Sequence, residues 1–227
     1  MRLNTAEKFL LLIQNPKKPG YLVSETIRDA GITGAILSDL VCQKKIEIIN
    51  GSLKILADQA DTSNAHSILL QMMQQSGRNR KIKTWISKLS RRSSKYRKEL
   101  IKQVEKKGFL RIIHKQFLWI KYDRTELIKS SERQEIIQGL REVIFHNKEA
   151  DKTNAIIAGL IHACKLHKII CENKEERRIC KHKLEELMRS DPLSQGVNKA
   201  IKEMQAAITG AVAAATVGAS AGAASSG

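Results

Sequence analysis

Apolar residues recur every three to four positions along most of this 227-residue chain, which is the spacing of one buried face of an α-helix. Asn4, with Glu7 three residues later, forms a capping-box pattern at the first helix, and Gly108 supplies a helix stop. The spacing predicts helices over residues 4–14, 24–31, 34–43, 63–75, 81–89, 94–107, 124–147, 152–171, 174–189 and 193–217.

Two short segments break the helical spacing and are typical of β-hairpins. In the first, the β-favouring runs 46–49 and 53–56 flank Asn50-Gly51, two residues that readily take the positive φ of a tight turn. In the second, the runs 109–113 and 116–120 flank a turn predicted near His114-Lys115. The sequence therefore predicts a mainly α fold, a helical bundle with two short β-hairpins.

The chain carries no internal repeat, no proline-rich linker and no break in composition that would divide it into two domains. Its length is enough for one large domain with a buried core. We therefore expect a single helical domain over residues 1–217. Residues 218–227 form a low-complexity tail of alanine, glycine and serine, which buries too little surface to order itself.

The sequence favours a soluble, cytoplasmic protein. The apolar stretch 9–13 is short, follows Glu7 and Lys8 and ends in a polar turn, so we interpret it as an amphipathic helix rather than a signal peptide. No segment reaches the roughly 18 to 20 apolar residues that span a bilayer. In the absence of a secretory signal, the cysteines are expected to be reduced thiols. They are Cys42, Cys164, Cys171 and Cys180.

Positive charge is concentrated in about a fifth of the chain. The whole chain has 40 lysines and arginines and 23 acidic residues, a formal net charge of +17. Between Arg78 and Arg124, 17 lysines and arginines are accompanied by only three acidic residues, a net charge of +14. Because like charges at helical spacing repel one another, this run favours a polyanionic partner that neutralises it over a merely solvated helix face.

The same basic segment carries several of the few aromatic residues. Phe109, Phe117, Trp119 and Tyr122 lie in the second predicted hairpin, and Trp85 lies upstream of it. Cations around aromatic and aliphatic side chains suit the interface of an anionic membrane. They also suit stacking of nucleobases along a phosphate backbone. Alternatively, the aromatic residues form the hairpin core or a subunit contact, and composition leaves these three alternatives open.

No arrangement of residues points to catalysis or to a cofactor. His162, Cys164, His167 and Cys171 are predicted to lie on one helix, where their spacing does not converge on a tetrahedral zinc site. The chain has no glycine-rich phosphate loop, no Gly-x-Ser-x-Gly elbow and no His-Glu-x-x-His motif. We therefore predict no enzymatic activity, no metal and no cofactor.

Five motifs, in order along residues 5–215, resemble those of the Golgi phosphoprotein 3 family. The family has a Gly-x-x-Gly-x-x-Leu-x-Glu-Leu helix followed by a basic strand, a Trp-Ile-x-x-Leu element and an Arg-rich helix ending in Glu-Lys-Gly-Val-Leu. It also has an Ala-His-Ala helix end and a closing helix. The matching stretches here are GITGAILSDL (31–40) with KKIEI (44–48), WISKL (85–89), RKEL (97–100) with VEKKGFL (104–110), IHA (161–163), and Val197, Ala200 and Ile201 before an alanine run.

This resemblance implies a phosphatidylinositol 4-phosphate site and its position in the chain. The tryptophan of the family's pocket falls near Ser24, one pocket arginine at Thr33, and two further arginines at Ser94 and Arg97. Since only Arg97 is retained, we expect general binding of anionic headgroups with weak selectivity for inositides. The expected headgroup-binding residues are Arg28, Arg91, Arg92, Lys95, Arg97 and Lys98.

The resemblance also implies a projecting hairpin over residues 109–122 that serves membrane contact and oligomerisation. The hairpin residues expected at that contact are Phe109, Phe117, Leu118 and Trp119. We therefore expect a cytoplasmic, peripherally membrane-associated adaptor that binds anionic phospholipid, recruits cytosolic tails of membrane proteins and forms a homo-oligomer. The alternatives are a nucleic-acid-binding protein that uses the same basic segment, and an oligomeric scaffold that needs no lipid.

Overall fold

The computed structural model is mainly helical with two small antiparallel sheets, which confirms the predicted fold class. The structure describes residues 3–56, 64–77, 80–189 and 202–214. In chain order the elements are α1 (Thr5–Leu12), α2 (Glu25–Cys42), β1 (Ile46–Ile49), β2 (Ser52–Ile55), α3 (Ala65–Gln74), β3 (Arg80–Lys81), α4 (Ile82–Ser90), α5 (Ser94–Lys106), β4 (Leu110–Phe117), β5 (Ile120–Leu127), α6 (Ser130–Phe145), α7 (Lys152–Ala163), a 3₁₀ turn (His167–Ile169), α8 (Lys174–Arg189) and α9 (residues 202–214).

Helix α2 is the centre of the bundle. Every residue from Ala30 to Val41 is buried, and α2 packs against α1, α3, α4 and α7. Apolar side chains from these helices join those of α5, α6, α8 and α9 in one hydrophobic cluster. Removing this apolar surface from water is the main driving force for the fold. The predicted boundary between domain and tail at residues 217 and 218 lies outside the described residues.

The prediction of two short helices separated near Gly31 was wrong, because α2 runs unbroken through it. A side chain at Gly31 would overlap the ring of Phe9, and one at Gly34 would overlap Ile208. The two glycines therefore let α1 and α9 approach the α2 backbone closely, and they do not end a helix. Ser24 caps α2 as expected, since its side chain accepts a hydrogen bond from the Ile27 N–H.

The first hairpin forms as predicted, and a third strand joins it. Asn50 and Gly51 occupy the turn with φ of 50° and 74°. The strands β1 and β2 pair antiparallel, with Ile48 opposite Leu53. Strand β3 adds to β2 through Arg80 and was not anticipated, since two residues are too short to carry a β pattern.

The second hairpin is longer than predicted, and its turn lies further along the chain. Strands β4 and β5 pair over eight residues each, from Leu110 opposite Leu127 to Phe117 opposite Ile120. The turn is Leu118-Trp119 instead of His114-Lys115, which lies within β4. Leu118 has a φ of +53°, a conformation that a non-glycine residue rarely takes, so local residue preferences do not reveal this turn.

Two predicted helices are shorter in the structure. Helix α6 begins at Ser130 rather than at residue 124, because residues 124–127 pair with β4. Helix α7 ends at Ala163 rather than at residue 171, because Lys165 takes a φ of +57°. The Lys165 and Leu166 N–H groups then bond to the carbonyls of His162 and Ile161, a Schellman ending without its usual glycine.

The early end of α7 removes the reason given above against a zinc site, since His162 and Cys171 do not share one helix. Within the described residues, no group of three or more His, Cys, Asp or Glu side chains is placed to hold a metal ion. The four cysteines are free thiols. Helix α8 has the predicted bounds, and the described part of the last predicted helix, residues 202–214, is helical.

Candidate membrane-binding surface

A line of unpaired cations runs along α5 and the turn before it. The apolar residues of α5 that follow helical spacing, among them Tyr96, Leu100 and Val104, are buried. Its lysines therefore point outward. We call the exposed set the basic face, and it consists of Arg91, Arg92, Lys95, Lys98, Lys102 and Lys106. Among the described residues, none of the six forms an ion pair with a carboxylate.

The end of the second hairpin is an exposed apolar cap. We call it the hairpin tip, and its exposed fractions are 67% for Phe117, 64% for Leu118, 82% for Trp119 and 57% for Ile120. Cations lie directly behind it, because Lys115 pairs with Tyr122 and Lys121 with Gln116 across the strands. In a membrane interface, apolar and aromatic side chains lie deeper and cations lie nearer to water. The hairpin has this order from its tip to the residues behind it.

The other end of the hairpin, its root, is tied to the helical body. The buried Thr125 hydroxyl donates to Gln14 Oε1 at 2.9 Å, and the Ile112 N–H donates to Glu105 Oε1 at 2.7 Å. The Gly20 N–H also donates to the Thr125 carbonyl at 2.8 Å. These bonds hold the root against the helical body. The tip is at the opposite end of the paired strands β4 and β5.

Three aromatic residues of the basic segment, Trp85, Tyr96 and Phe109, do not reach the surface. Phe109 was grouped with the hairpin contact residues, but it precedes β4 and is buried against the core, with the Lys129 ammonium 4.9 Å from its ring centroid. Trp85 is buried in α4. The exposed aromatic surface of this segment is therefore confined to the hairpin.

Two of the predicted headgroup-binding residues, Arg28 and Arg97, lie beside the carboxylate of Asp29. Asp29 Oδ1 accepts from the Arg28 Nε at 2.7 Å and lies 3.4 Å from Arg97 Nε. Asp29 Oδ2 accepts from the Ser93 hydroxyl at 2.7 Å. We call these four residues the Asp29 cluster. It joins the start of α2 to the start of α5, with a hydrogen bond to Arg28 and an ion pair to Arg97.

The Asp29 cluster is largely enclosed. Arg28 is buried and lies over the Tyr21 ring, with the guanidinium carbon 5.0 Å from the ring centroid. Burial alone would lower the pKa of Arg28, but the hydrogen bond and charge of Asp29, together with the charges of Tyr21 and Glu25, outweigh it, and the pKa is raised. Arg28 and Arg97 thus share one carboxylate within the protein, whereas the cations of the basic face have no ion pair among the described residues.

The described helices include none that is both long and apolar enough to cross a bilayer. Residues 6–204 match the family model for Golgi phosphoprotein 3 (GPP34). The chain belongs to the Golgi phosphoprotein 3 family. Membership of this family, known for adaptors without enzymatic activity, suggests a Golgi-associated adaptor role. No individual curated protein matches the chain at a significant level.

The four positions that the Golgi phosphoprotein 3 resemblance assigned to a lipid pocket differ from one another in solvent exposure. Ser24 and Ser94 are exposed at helix starts, and Thr33 is fully buried. The Thr33 hydroxyl lies 2.7 Å from the Tyr96 hydroxyl and donates to the Asp29 carbonyl at 2.6 Å. Only Arg97 retains a cation, and Asp29 pairs with it. No local sequence signal revealed that pairing, because Asp29 and Arg97 lie on different helices.

Proposed function

We propose that the protein is a membrane-surface adaptor that docks on anionic phospholipid through the basic face and the hairpin tip. The observation that carries the proposal is the hairpin tip, four consecutive apolar residues that are more than half exposed on a tethered hairpin. Exposing such a cluster to water is unfavourable, and insertion at headgroup depth relieves that cost. The unpaired cations of the basic face add about 1 kcal/mol for each residue that reaches an anionic leaflet.

Headgroup charge, more than headgroup identity, decides binding in this proposal. Lysines are point charges without the bidentate geometry that recognises one phosphate arrangement. The exposed basic face is mostly lysine, whereas the enclosed Arg28 and Arg97 already pair with Asp29. We therefore expect binding to rise with the anionic fraction of the bilayer and to depend little on inositide content.

A co-sedimentation assay with vesicles of graded phosphatidylserine content tests the basic face. The test variant combines Arg91→Glu, Arg92→Glu, Lys95→Glu and Lys98→Glu, and we expect it to stay in the supernatant. The matched control combines Lys148→Glu, Lys165→Glu, Lys168→Glu and Lys174→Glu, which lie outside α4, α5 and the second hairpin and are also exposed. Because both variants change the net charge equally, equal losses of binding would contradict the proposal.

Nucleic acid is the alternative ligand for the same cations, and one observation weighs against it on α4 and α5, although not on the hairpin. Binding of single strands uses aromatic side chains along the cationic track. Trp85 and Tyr96, the aromatic residues of α4 and α5, are buried beneath the basic face. An oligonucleotide added to the vesicle assay separates the two ligands, since displacement of the protein from vesicles at low micromolar oligonucleotide would favour the alternative.

Recruitment of cytosolic tails of membrane proteins and formation of a homo-oligomer are further parts of this proposal. The hairpin tip serves either membrane contact or subunit contact, and the scaffold alternative assigns it to the latter. Light scattering of the lipid-free protein distinguishes them. A larger species that becomes a monomer when the tip is replaced would favour the scaffold.

A further inference from the structure

The two faces of the second hairpin carry different side chains. Residues that pair directly across antiparallel strands lie on the same face, and successive residues alternate between the faces. The register of β4 and β5 therefore assigns each residue to one side. What we call the inner face includes Leu110, His114, Gln116, Lys121, Asp123 and Thr125. What we call the outward face includes Ile113, Lys115, Phe117, Ile120, Tyr122 and Arg124.

The root of the hairpin shows which face is turned toward the helical body. On the inner face, Leu110 and Thr125 are buried, with exposed fractions of 2% and 4%. The Thr125 hydroxyl is the group that donates to Gln14 of the body. Arg111, which follows Leu110 and therefore lies on the opposite side of the strand, is exposed. The outward face is thus turned away from the bundle.

Beyond the root, the polarity of the two faces is the reverse of that in an ordinary sheet. A sheet that packs one face on a core carries apolar residues on that face and polar residues on the solvent side. Here the inner face beyond the root is polar and carries His114, Gln116, Lys121 and Asp123. The outward face carries exposed apolar and aromatic side chains, namely Phe117, Ile120 and Tyr122. An apolar face directed away from the body indicates a contact outside the chain.

The charges of the hairpin indicate the chemistry of that contact. On the inner face, His114 Nδ1 lies 2.8 Å from Asp123 Oδ1, so this side includes a carboxylate. On the outward face, the guanidinium carbon of Arg124 lies 5.6 Å from the centroid of the Tyr122 ring. Among the described residues, neither Arg124 nor Lys115 forms an ion pair with a carboxylate. Cations beside exposed apolar and aromatic side chains favour an anionic lipid surface.

A second copy of the same face is a poorer partner for the outward face. Two outward faces packed together would bring the unpaired cations of both copies into one contact, and like charges in a contact repel. An anionic bilayer instead offers phosphates to the cations and an apolar layer to the aromatic side chains. The distribution of charge therefore selects the membrane.

We propose that the hairpin enters an anionic bilayer obliquely, with its outward face toward the lipid and its inner face toward water. This inference rests on the membrane docking proposed above and adds the orientation of the hairpin to it. Phe117, Ile120 and Tyr122 then lie at headgroup depth, while Lys115 and Arg124 contact lipid phosphates. Upright insertion of the tip would instead bring the two faces to the same depth at each level of the hairpin.

Quenching of tryptophan fluorescence by brominated phosphatidylcholine in phosphatidylserine vesicles measures this orientation. In a Trp119→Phe background, the two variants are Tyr122→Trp on the outward face and Gln116→Trp on the inner face. Both leave the net charge unchanged, and Gln116 lies one pair nearer to the tip. The buried Trp85 contributes the same background to both. We expect the Tyr122→Trp variant to be quenched and the Gln116→Trp variant to be nearly unaffected. Equal quenching, or stronger quenching of Gln116→Trp, would overturn the orientation.

Two lysines on opposite faces provide an independent test. Lys115→Gln should weaken partitioning into phosphatidylserine vesicles about fivefold, because it removes one cation from the leaflet surface. Lys121→Gln is the matched control, since Lys121 is exposed at a neighbouring level of the inner face. Its effect should be much smaller, because salt screens charges that lie farther from the lipid phosphates. Equal weakening by both substitutions would contradict the assigned orientation.

The failure of this inference and the failure of the proposed function give different results. If the parent chain binds vesicles but both tryptophan variants are quenched alike, membrane docking stands and only the orientation is wrong. If the parent chain does not sediment with vesicles, both are wrong. An oligonucleotide that changes the emission of the Tyr122→Trp variant and prevents its quenching by vesicles would assign the outward face to nucleic acid and overturn the proposal.

Discussion

At the scale of single residues, this protein uses glycine for close packing inside a helix as much as for turns. Gly34 lies in the fully buried part of α2, where a Cβ atom would overlap Ile208 of α9 and also contact Leu160 of α7 at 3.2 Å. Neither neighbour can move freely, because the interior is packed on all sides. The residue is therefore a contact point for three helices.

Gly34→Ala should lower the free energy of unfolding by about 1 to 3 kcal/mol, because the added methyl group overpacks the core. Gly139→Ala in α6 is the control, since its Cβ would meet only Asn154 at an ordinary 3.6 Å. That substitution should instead stabilise the helix by up to about 1 kcal/mol. Urea unfolding of both variants measures the difference. Equal effects would refute the close-packing role of Gly34.

Asp29 is the second residue whose role depends on its neighbours in space. Asp29→Asn keeps the shape of the side chain but removes the negative charge that Arg28 and Arg97 share. We expect this variant to gain affinity for vesicles containing phosphatidylinositol 4-phosphate over phosphatidylserine vesicles of equal charge. The control is Glu25→Gln, which removes an exposed carboxylate 3.6 Å from Arg28. If both variants show the same lipid preference as the parent chain, Asp29 does not mask these arginines.

At the scale of elements, the second hairpin combines a strained turn with an exposed apolar tip. Leu118 holds a φ of +53°, which is unfavourable for a leucine, and the Gln116 side-chain amide donates to its carbonyl at 2.8 Å. A sequence selected for folding alone would place Asn or Gly there. The presence of Leu and Trp at these positions instead supports the contact role proposed for the tip.

Replacing the turn through Leu118→Asn and Trp119→Gly should therefore separate folding from binding. We expect an unchanged or higher thermal midpoint, because both new residues accept turn geometry, together with a clear loss of vesicle binding. Ile128→Ser at the hairpin root is the control, since Ile128 is half exposed yet far along the strands from the tip. Vesicle binding retained by the double variant would exclude the tip from the membrane contact.

At the scale of the whole molecule, two histidines couple stability to pH. The His162 and His167 rings meet edge to face at a centroid distance of 5.8 Å near α8. Burial lowers the pKa of both, and the neighbouring imidazole and Lys181 further lower the pKa of His167, whereas Glu185 opposes the shift. Protonation is thus less favourable in the folded protein than in the unfolded chain.

The direction of the pH effect follows from this difference. Because the folded pKa values lie below the ordinary 6.5, the stabilisation is complete above that pH and is lost as the pH falls through the folded values. Urea unfolding between pH 7.5 and 5 should show this decrease, and the variant His162→Gln with His167→Gln should show a smaller one. An identical slope in the two proteins would refute the coupling.

Local sequence determined a large part of this architecture. The capping box at Asn4, the Asn50-Gly51 turn, the Gly108 stop and the bounds of α8 all follow from contacts within a few residues. The outward direction of the lysines on α5 follows in the same way, since the apolar side of the helix must face the core. Family membership could also be inferred from motifs that lie in order along the chain.

Only the tertiary structure decided the features that depend on distant residues. It kept α2 continuous through Gly31, placed the hairpin turn at Leu118, ended α7 at Ala163 without a glycine, and paired Asp29 with Arg97. For α2 and for the Asp29–Arg97 pair the deciding neighbour is on another element, so packing overrides local preference there. The positive charge of the basic segment was a property of the sequence, whereas its availability to a ligand was decided by which carboxylates the fold brings beside it.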